Sequence, residues 1–142
     1  MKHSFETIVY YADTDAYGVV WHGSYLRWME RGRVDFCAQL GLDLVELKNL
    51  DVVLPVTNMN VRYKSSAKLN ETVIVETWLE KTSPISVTFK QTVKSKETNK
   101  ICIEAVFDVV AVNNEGKLYR RLPELLMQKI EKGLEEKCPA CV

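Results

Sequence analysis

The residues with the greatest capacity for chemistry lie in one polar loop that precedes a long predicted helix. Asp13 and Asp15 stand in this loop, and His22 follows near its end. The start of a helix presents unpaired N–H groups and the positive end of the helix dipole, so it stabilises a bound anion. A carbonyl group held there would have its developing oxyanion stabilised, while a nearby carboxylate attacked the carbonyl carbon or activated water. The loop is therefore a candidate site for chemistry at a carbonyl group.

The same residues also permit a purely structural interpretation. Aspartates in loops ahead of helices commonly accept backbone hydrogen bonds in Asx turns or caps, and a lone histidine more often lies on the surface or in the core. The sequence contains no phosphate-binding glycine loop, no G-x-S-x-G elbow and no H-E-x-x-H metal motif. From the residues alone, both interpretations of Asp13 and Asp15 stay open.

Length and composition indicate one ordinary globular domain spanning residues 1–142. The chain has 142 residues, of which 46% are hydrophobic and 27% charged, and Lys+Arg and Asp+Glu each number 19. This charge balance lacks the basic footprint of a nucleic-acid binder. The N-terminal segment has no apolar stretch of the secretory type, and no apolar run is long enough to span a bilayer. We therefore expect a cytoplasmic protein with no transmembrane segment.

The four cysteines predict no metal site. Cys37 and Cys102 fall inside periodic segments and are expected to be small buried apolar groups. Cys138 and Cys141 form a C-x-x-C pair within residues 136–142, which we interpret as a frayed tail without chemistry.

The spacing of apolar residues predicts an α+β domain. A helical period runs from Ser24, as N-cap, to Gly41, as C′ residue, and Gly32 in its middle predicts a close approach to a packed sheet. Strands are predicted over 5–11, 52–64, 71–81, 85–94 and 101–112, a turn over 113–116, and helices over 44–50 and from Pro123 to about residue 136. This order implies an antiparallel sheet wrapped around one long central helix, with a C-terminal helix. Exposed sheet edges predict a homo-oligomer.

Residues 13–25 closely resemble the D-x-D-x-x-G-V-V-x-H-x-x-Y motif of hotdog-fold thioesterases. The group most similar is the 4-hydroxybenzoyl-CoA thioesterase family with its YbgC/FadM-type acyl-CoA thioesterase branch. Residues 30–33 resemble its E-R-x-R motif, 62–67 its R-Y-x-x-P-A motif with Ser66 in place of proline, and 121–123 its R-x-P stretch. The resemblance implies a hotdog fold and hydrolysis of a fatty or aromatic acyl-CoA, with no cofactor, by a homodimer or homotetramer.

The resemblance also assigns roles to residues of the loop. Asp15 falls on the family's catalytic carboxylate, as nucleophile or as general base. The backbone N–H groups at His22 and Gly23 fall on the oxyanion site, and the His22 side chain is expected to assist. Asp13 is expected to shape the loop. The remaining expected packing or substrate-lining residues are Val20, Trp21 and Tyr25, with Tyr17 and Met59 as further candidates.

The residues that could bind the CoA phosphates are indicated less specifically than the catalytic residues. The hairpin at residues 80–84, where the 4-hydroxybenzoyl-CoA enzyme carries a basic run, offers only Lys81. The expected phosphate partners are therefore Arg62, Lys64, Arg120 and Arg121, for which ordinary solvated surface is the alternative.

Both the catalytic carboxylate and the function have rival interpretations. Glu30 is the rival carboxylate, because another hotdog thioesterase group uses an acid on the central helix, but its spacing to Arg33 favours a structural ion pair. A hotdog dehydratase or hydratase and a non-catalytic acyl-CoA-binding protein are the alternative functions. The acyl group, the choice between CoA and acyl carrier protein, and the oligomer size stay open.

Overall fold

The computed structural model describes residues 1–135, in which five strands and three helices follow one another along the chain. The predicted tail at residues 136–142, with its C-x-x-C pair, lies outside the described residues. The elements are β1 (Lys2–Ile8), α1 (His22–Gln39), α2 (Leu44–Asn49), β2 (Val56–Tyr63), β3 (Thr72–Thr82), β4 (Ser86–Ser95), β5 (Ile101–Val110) and α3 (Glu124–Glu135).

The five strands form one antiparallel sheet in the order β1-β3-β4-β5-β2, which confirms the predicted α+β class. The first eight residues of β3 alternate between half-buried and buried, and the buried Val73, Val75 and Leu79 face the core. Helix α1 packs on this face through Met29 and Phe36, both fully buried. The long helix therefore lies across the sheet as predicted, with its N-terminus held by the loop that precedes it.

The observed start of α1 differs from the predicted one, whereas its end agrees with the prediction. The prediction of Ser24 as N-cap is wrong, because Trp21 is the N-cap and the helix begins at His22. The Ser24 hydroxyl instead donates a hydrogen bond to the carbonyl oxygen of Asp13 at 3.0 Å, and the side chain is buried in the first turn. Gly41 has a φ of +81°, the left-handed conformation expected of a C′ glycine.

Two strand predictions are shifted or too long. The first strand is Lys2–Ile8 instead of 5–11, because residues Tyr11–Asp13 form a short 3-10 turn closed by side-chain and backbone bonds. The second is Val56–Tyr63 instead of 52–64, and Val53 makes only an isolated bridge to Val112. The remaining strands, the turn at 113–116 and both later helices lie within two residues of their predicted limits.

Gly32 approaches the sheet as closely as predicted. A Cβ atom at this position would lie 2.5 Å from Thr77 Oγ1 and 2.9 Å from Gln91 Nε2, so only glycine fits without displacement of these groups. Cys37 and Cys102 are buried free thiols, as expected, and burial raises the pKa of Cys37 to about 11. Among the helices of the described region, none is both long and apolar enough to cross a membrane.

Candidate active site

The loop before α1 is a narrow hairpin that delivers the chain to the start of the helix. Thr14 and Val20 form an antiparallel bridge, and the N–H of Asp15 donates to the carbonyl oxygen of Val19 at 2.9 Å. The chain reverses at Gly18, whose φ of +78° suits glycine and whose N–H donates to the carbonyl oxygen of Asp15 at 3.1 Å. The hairpin thus fixes Asp15 relative to the first residues of α1.

Asp13 holds the hairpin on the helix. Its Oδ2 accepts a hydrogen bond from the N–H of Tyr10 at 2.9 Å. Its carbonyl oxygen accepts two more, from the N–H of Trp21 at 2.8 Å and from the hydroxyl of Ser24 at 3.0 Å. These contacts agree with the loop-shaping role that the sequence predicts for Asp13.

Asp15 is half-buried and only partly engaged by protein donors. Its Oδ1 accepts a hydrogen bond from the N–H of Tyr17 at 2.8 Å, which makes an Asx turn. Within residues 1–135, Oδ2 receives no protein hydrogen bond. The carboxylate lines an open depression of about 440 Å³ beside Tyr11, Thr14 and Leu69. One oxygen is therefore fixed by the backbone, while the other accepts no hydrogen bond from the described residues.

The start of α1 offers two backbone donors near this carboxylate. In the described part of the chain, the N–H groups of His22 and Gly23 donate to no protein acceptor, whereas the N–H of Ser24 donates to Trp21 O at 2.9 Å. Along the hairpin, Asp15 lies two residues from Asp13, whose carbonyl oxygen accepts the N–H of Trp21. Two residues of extended backbone correspond to about 7 Å. The carboxylate and the two donors therefore belong to one hairpin and the helix turn that follows it.

The Trp21 ring lies directly over Gly23. A Cβ atom on Gly23 would come within 2.3 to 2.8 Å of three Trp21 ring atoms. The ring is still 49% exposed, and its centroid lies 5.0 Å from the His22 imidazole. The glycine therefore lets an aromatic surface cover the helix start without closing it.

Val20 and Tyr25 support this arrangement from the core side. Tyr25 is 2% exposed and its hydroxyl accepts a hydrogen bond from the N–H of Ala67 at 3.0 Å. The carbonyl oxygen of Ala67 accepts the N–H of Val20 at 2.9 Å, and Val20 is 4% exposed. Burial raises the pKa of Tyr25 to about 12. Of the two roles expected for Tyr25, the structure favours packing.

The sequence model of the Thioesterase-like superfamily matches residues 9–130, which include the whole loop and helix described above. This chain belongs to that superfamily. The acyl-CoA thioester hydrolase YbgC of Escherichia coli is 31% identical over 123 residues, 87% of this chain and 91% of that protein. A putative esterase of Synechocystis is 31% identical over 120 residues, 84% of this chain and 72% of that protein. The predicted resemblance to the YbgC-type thioesterases is thereby confirmed.

A solved structure confirms the hotdog fold. The DHNA-CoA thioesterase of Staphylococcus aureus superposes with a TM-score of 0.84 at 27% identity, with 94% of this chain and 91% of that chain covered. The predicted hotdog arrangement, a sheet around one long helix, therefore applies to this member of the thioesterase-like superfamily.

The basic residues proposed for the CoA phosphates do not converge within this thioesterase chain. Arg62 and Lys64 lie at the end of β2, where Lys64 Nζ pairs with Glu104 at 3.1 Å and Arg62 is the strand partner of the same glutamate. Arg120 and Arg121 precede Leu122, whose N–H donates to Pro84 O in the β3–β4 hairpin.

These two pairs of basic residues lie at opposite ends of the sheet. The hairpin at Pro84 is next to the start of β4, where Val87 pairs with Val109 of β5. Val109 also pairs with Val56, so the hairpin lies at the same end of the sheet as the start of β2. The six residues from Val56 to Arg62 correspond to about 20 Å of strand. One phosphate group therefore contacts one pair or the other within a single chain.

The predicted ion pair between Glu30 and Arg33 is wrong. Glu30 is exposed and, within residues 1–135, has no ion pair. Arg33 turns toward the sheet, where its Nη1 donates to Gln91 Oε1 at 2.9 Å and its guanidinium carbon lies 4.1 Å from the Phe107 ring centroid. The hydrogen bond and the stacking on the ring outweigh a surface pair, which is worth little in water.

Three further residues of the site region have roles that the sequence alone did not assign. Tyr63 donates its hydroxyl hydrogen to the carbonyl oxygen of His22 at 2.9 Å, and Ala67 bonds both the hairpin and Tyr25. Gln91 is fully buried and binds Arg33. Each carried a signal. Tyr63 and Ala67 lie in the R-Y-x-x-P-A motif, and Gln91 is a polar residue at an inward-facing position of an alternating strand.

No metal centre is present in the described region. Within residues 1–135, no group of three or more His, Cys, Asp or Glu side chains has the arrangement needed to hold a metal ion. That the thioesterase needs no cofactor stays a prediction.

Proposed function

We propose that this protein hydrolyses an acyl-CoA thioester to the free acid and CoA, with Asp15 as the catalytic carboxylate. The observation that carries the proposal is the hairpin, which bears the half-engaged Asp15 carboxylate and leads into the helix start, where the N–H groups of His22 and Gly23 have no protein acceptor in the described residues. Such donors stabilise an oxyanion, and the carboxylate supplies the base or the nucleophile. Membership of the thioesterase-like superfamily and the match to an acyl-CoA thioester hydrolase support it.

The reaction follows from these positions by one of two routes. As general base, Asp15 takes a proton from water while the water oxygen attacks the thioester carbonyl carbon; the oxyanion is bound by the backbone donors. Collapse expels the CoA thiolate, which receives the proton from Asp15. As nucleophile, Asp15 itself expels the thiolate and forms a mixed anhydride, which water then cleaves. In both routes the bond from Tyr17 holds Oδ1 and leaves Oδ2 for the chemistry.

We further propose that the active unit is a homo-oligomer, a dimer or a tetramer, in which a second copy completes the site. The support is β2, an edge strand whose far side is unpaired within the described chain and whose residues are almost all exposed. Val56, Met59 and Tyr63 on this strand are 41%, 54% and 50% exposed. An edge strand of this length with apolar side chains is a site for pairing with another chain.

We also propose partners for the CoA phosphates, a reaction without a cofactor and a cytoplasmic location. Arg62 and Lys64, or Arg120 and Arg121, bind the CoA phosphates, and no cofactor takes part. We place the protein in the cytoplasm; the buried free thiols of Cys37 and Cys102 suit a reducing compartment.

A thiol-release assay over short, long and aromatic acyl-CoAs tests the function. We expect release of free thiol from at least one class, with acid and CoA in equal amounts. Absence of turnover with every acyl-CoA would sink the hydrolase proposal. Binding of an acyl-CoA without release would favour the non-catalytic alternative, and formation of an unsaturated or hydrated acyl thioester would favour the dehydratase or hydratase.

A further inference from the structure

One face of α1 leads away from the oxyanion donors. It carries Gly23, Leu26, Glu30 and Arg33, which recur at intervals of three or four residues. Strand β2 lies beside this face at both of its ends. Its end at Tyr63 contacts His22 through the hydroxyl bond, and its start at Val56 lines a cavity together with Glu30 and Arg33.

This cavity lies beside the second half of α1 and is mostly apolar. It has a volume of about 250 Å³. Its apolar walls come from α1, from the segment after it and from the β4, β5 and β2 strands: Val34, Cys37, Leu44, Leu54, Val56, Phe89 and Val109. Its charged residues are Arg33 and Glu30, of which Arg33 is half-buried and Glu30 lies exposed. The Cys37 thiol is no nucleophile here, because burial raises its pKa to about 11.

Arg33 is held in place by a buried polar network. Gln91 accepts one hydrogen bond from the guanidinium and donates its amide hydrogens to Met29 O at 2.8 Å and to Thr77 Oγ1 at 2.7 Å. Gln91 and Thr77 are both fully buried. With the face of Phe107 beneath it, the guanidinium therefore has a fixed orientation.

The guanidinium retains donors for a ligand. Arginine carries five N–H donors and stays charged at neutral pH. In the described residues, Arg33 spends one of them on the neutral Gln91 and forms no ion pair with a carboxylate. Partial burial of a cation lowers the pKa of Arg33 and makes an anionic partner more favourable than it would be in water.

We propose that this cavity receives the distal end of the acyl group and that Arg33 binds a carboxylate carried there. The inference rests on the proposed function and assigns its substrate class as CoA monothioesters of dicarboxylic acids. Arg33 follows Gly23 by ten residues, about 15 Å of helix. Helical Cα–Cβ bonds tilt toward the N-terminus, which shortens the span toward that of a medium-length acyl chain.

Selectivity between two acyl-CoAs of equal length tests the assignment. The substrates are octanoyl-CoA and the mono-CoA thioester of octanedioic acid, and the readout is the ratio of their kcat/KM values. We expect Arg33→Met to lower the ratio of diacid to monoacid thioester by about 10- to 100-fold, because it removes a charge-assisted hydrogen bond. Arg33→Lys keeps the charge but loses the planar array of guanidinium donors, so its ratio should lie between those of the wild type and Arg33→Met.

The chain offers a matched control and an opposing variant. Arg31 lies on the same helix and its guanidinium carbon sits 4.3 Å from the ring of Phe5, on the β1 side. Arg31 also pairs with Asp35 at 3.6 Å. Arg31→Met removes a stacked positive charge from the other side of the helix, and should leave the ratio unchanged. Glu30→Gln removes the negative charge from the cavity and should raise the ratio a few-fold.

The outcomes separate this inference from the proposed function. If the wild type hydrolyses octanoyl-CoA but Arg33→Met and Arg33→Lys leave the ratio unchanged, the Arg33 assignment is overturned and the thioesterase stands. If no acyl-CoA is hydrolysed, the proposed function itself fails. Thermal unfolding and size-exclusion chromatography accompany each variant. A change in oligomeric state with an unchanged ratio would mean that a second copy of the chain covers the cavity, which also overturns the inference.

Discussion

The hydroxyl of Tyr63 donates a hydrogen bond to the carbonyl oxygen of His22 at 2.9 Å, across 41 residues of sequence. This bond joins the end of the edge strand β2 to the first turn of α1. The Tyr63 ring also meets the imidazole of His22 edge-on, at 6.5 Å between centroids. The edge strand β2 is thus attached to the residue whose N–H is proposed to bind the oxyanion.

Tyr63→Phe should therefore impair catalysis more than folding. Loss of the hydroxyl frees the His22 carbonyl and loosens the helix start, so we expect kcat/KM to fall about 3- to 10-fold, which corresponds to one net hydrogen bond. The free energy of unfolding should change by less than about 1 kcal/mol, since Tyr63 is half exposed. Tyr119→Phe is the matched control, because its hydroxyl donates to Asp51 O at 2.7 Å, far from the site. Equal losses of activity in both variants would argue against a positioning role.

Asp15→Asn and Asp13→Asn compare two aspartates of one loop. Asparagine keeps an oxygen for the Tyr17 N–H in the first variant and for the Tyr10 N–H in the second, so both should fold. Only Asp15 is proposed to act as base or nucleophile. We expect kcat to fall about 10²- to 10⁴-fold in Asp15→Asn and less than about threefold in Asp13→Asn.

Thiol release and urea unfolding of the two variants check this pair. Full activity of Asp15→Asn would remove the carboxylate assignment, and Glu30→Gln would then be the next variant to measure. A large loss in both variants with lowered stability would mean that the loop geometry, and not one carboxylate, governs the rate.

Gly32→Ala tests how closely α1 approaches the sheet. The added methyl group would meet Thr77 Oγ1 at 2.5 Å and Gln91 Nε2 at 2.9 Å. We expect a loss of about 1–3 kcal/mol in unfolding free energy, although alanine is the better helix former by about 1 kcal/mol. Thr77→Ala removes one of the two colliding atoms, so the double variant should be less destabilised than the sum of the singles, by urea unfolding. Additive losses would mean that the helix shifts instead.

The architecture was largely predictable because it follows from local periodicity. Tyr25, Met29 and Phe36 recur at helical spacing and all three are buried on α1. The helix start was mispredicted because the Ser24 hydroxyl has a partner, the Asp13 carbonyl, that only the folded hairpin brings near. Local patterns predict a cap, whereas tertiary contacts decide whether the side chain is used as one.

The candidate site was predictable only in part for the same reason. The motif at residues 13–25 predicted Asp15 and the donors at His22 and Gly23, which are neighbours along the chain. The bond between Arg33 and Gln91 spans 58 residues, so no spacing rule connects the two side chains. The helical spacing instead predicts a pair between Arg33 and Glu30, its neighbour on the helix. Contacts between distant segments are what the fold adds.

Tyr25→Phe gives a test with a defined pH dependence. The phenol is buried and its oxygen accepts the Ala67 N–H, so at pH 7 the variant should lose about 1–3 kcal/mol of unfolding free energy through that unpaired donor. The pKa of Tyr25 rises from 10.0 to about 12 in the folded protein, chiefly through burial. Between these values the folded state holds a proton that the unfolded state has lost, so the stability due to Tyr25 is complete below pH 10 and declines as the pH rises toward 12.

The difference in unfolding free energy between wild type and Tyr25→Phe should therefore shrink across that interval in urea unfolding at pH 8, 10 and 11. Tyr17→Phe, whose ring is 90% exposed, serves as control. A difference that stays constant with pH would show that the hydroxyl of Tyr25 is as accessible to solvent in the folded chain as in the unfolded one.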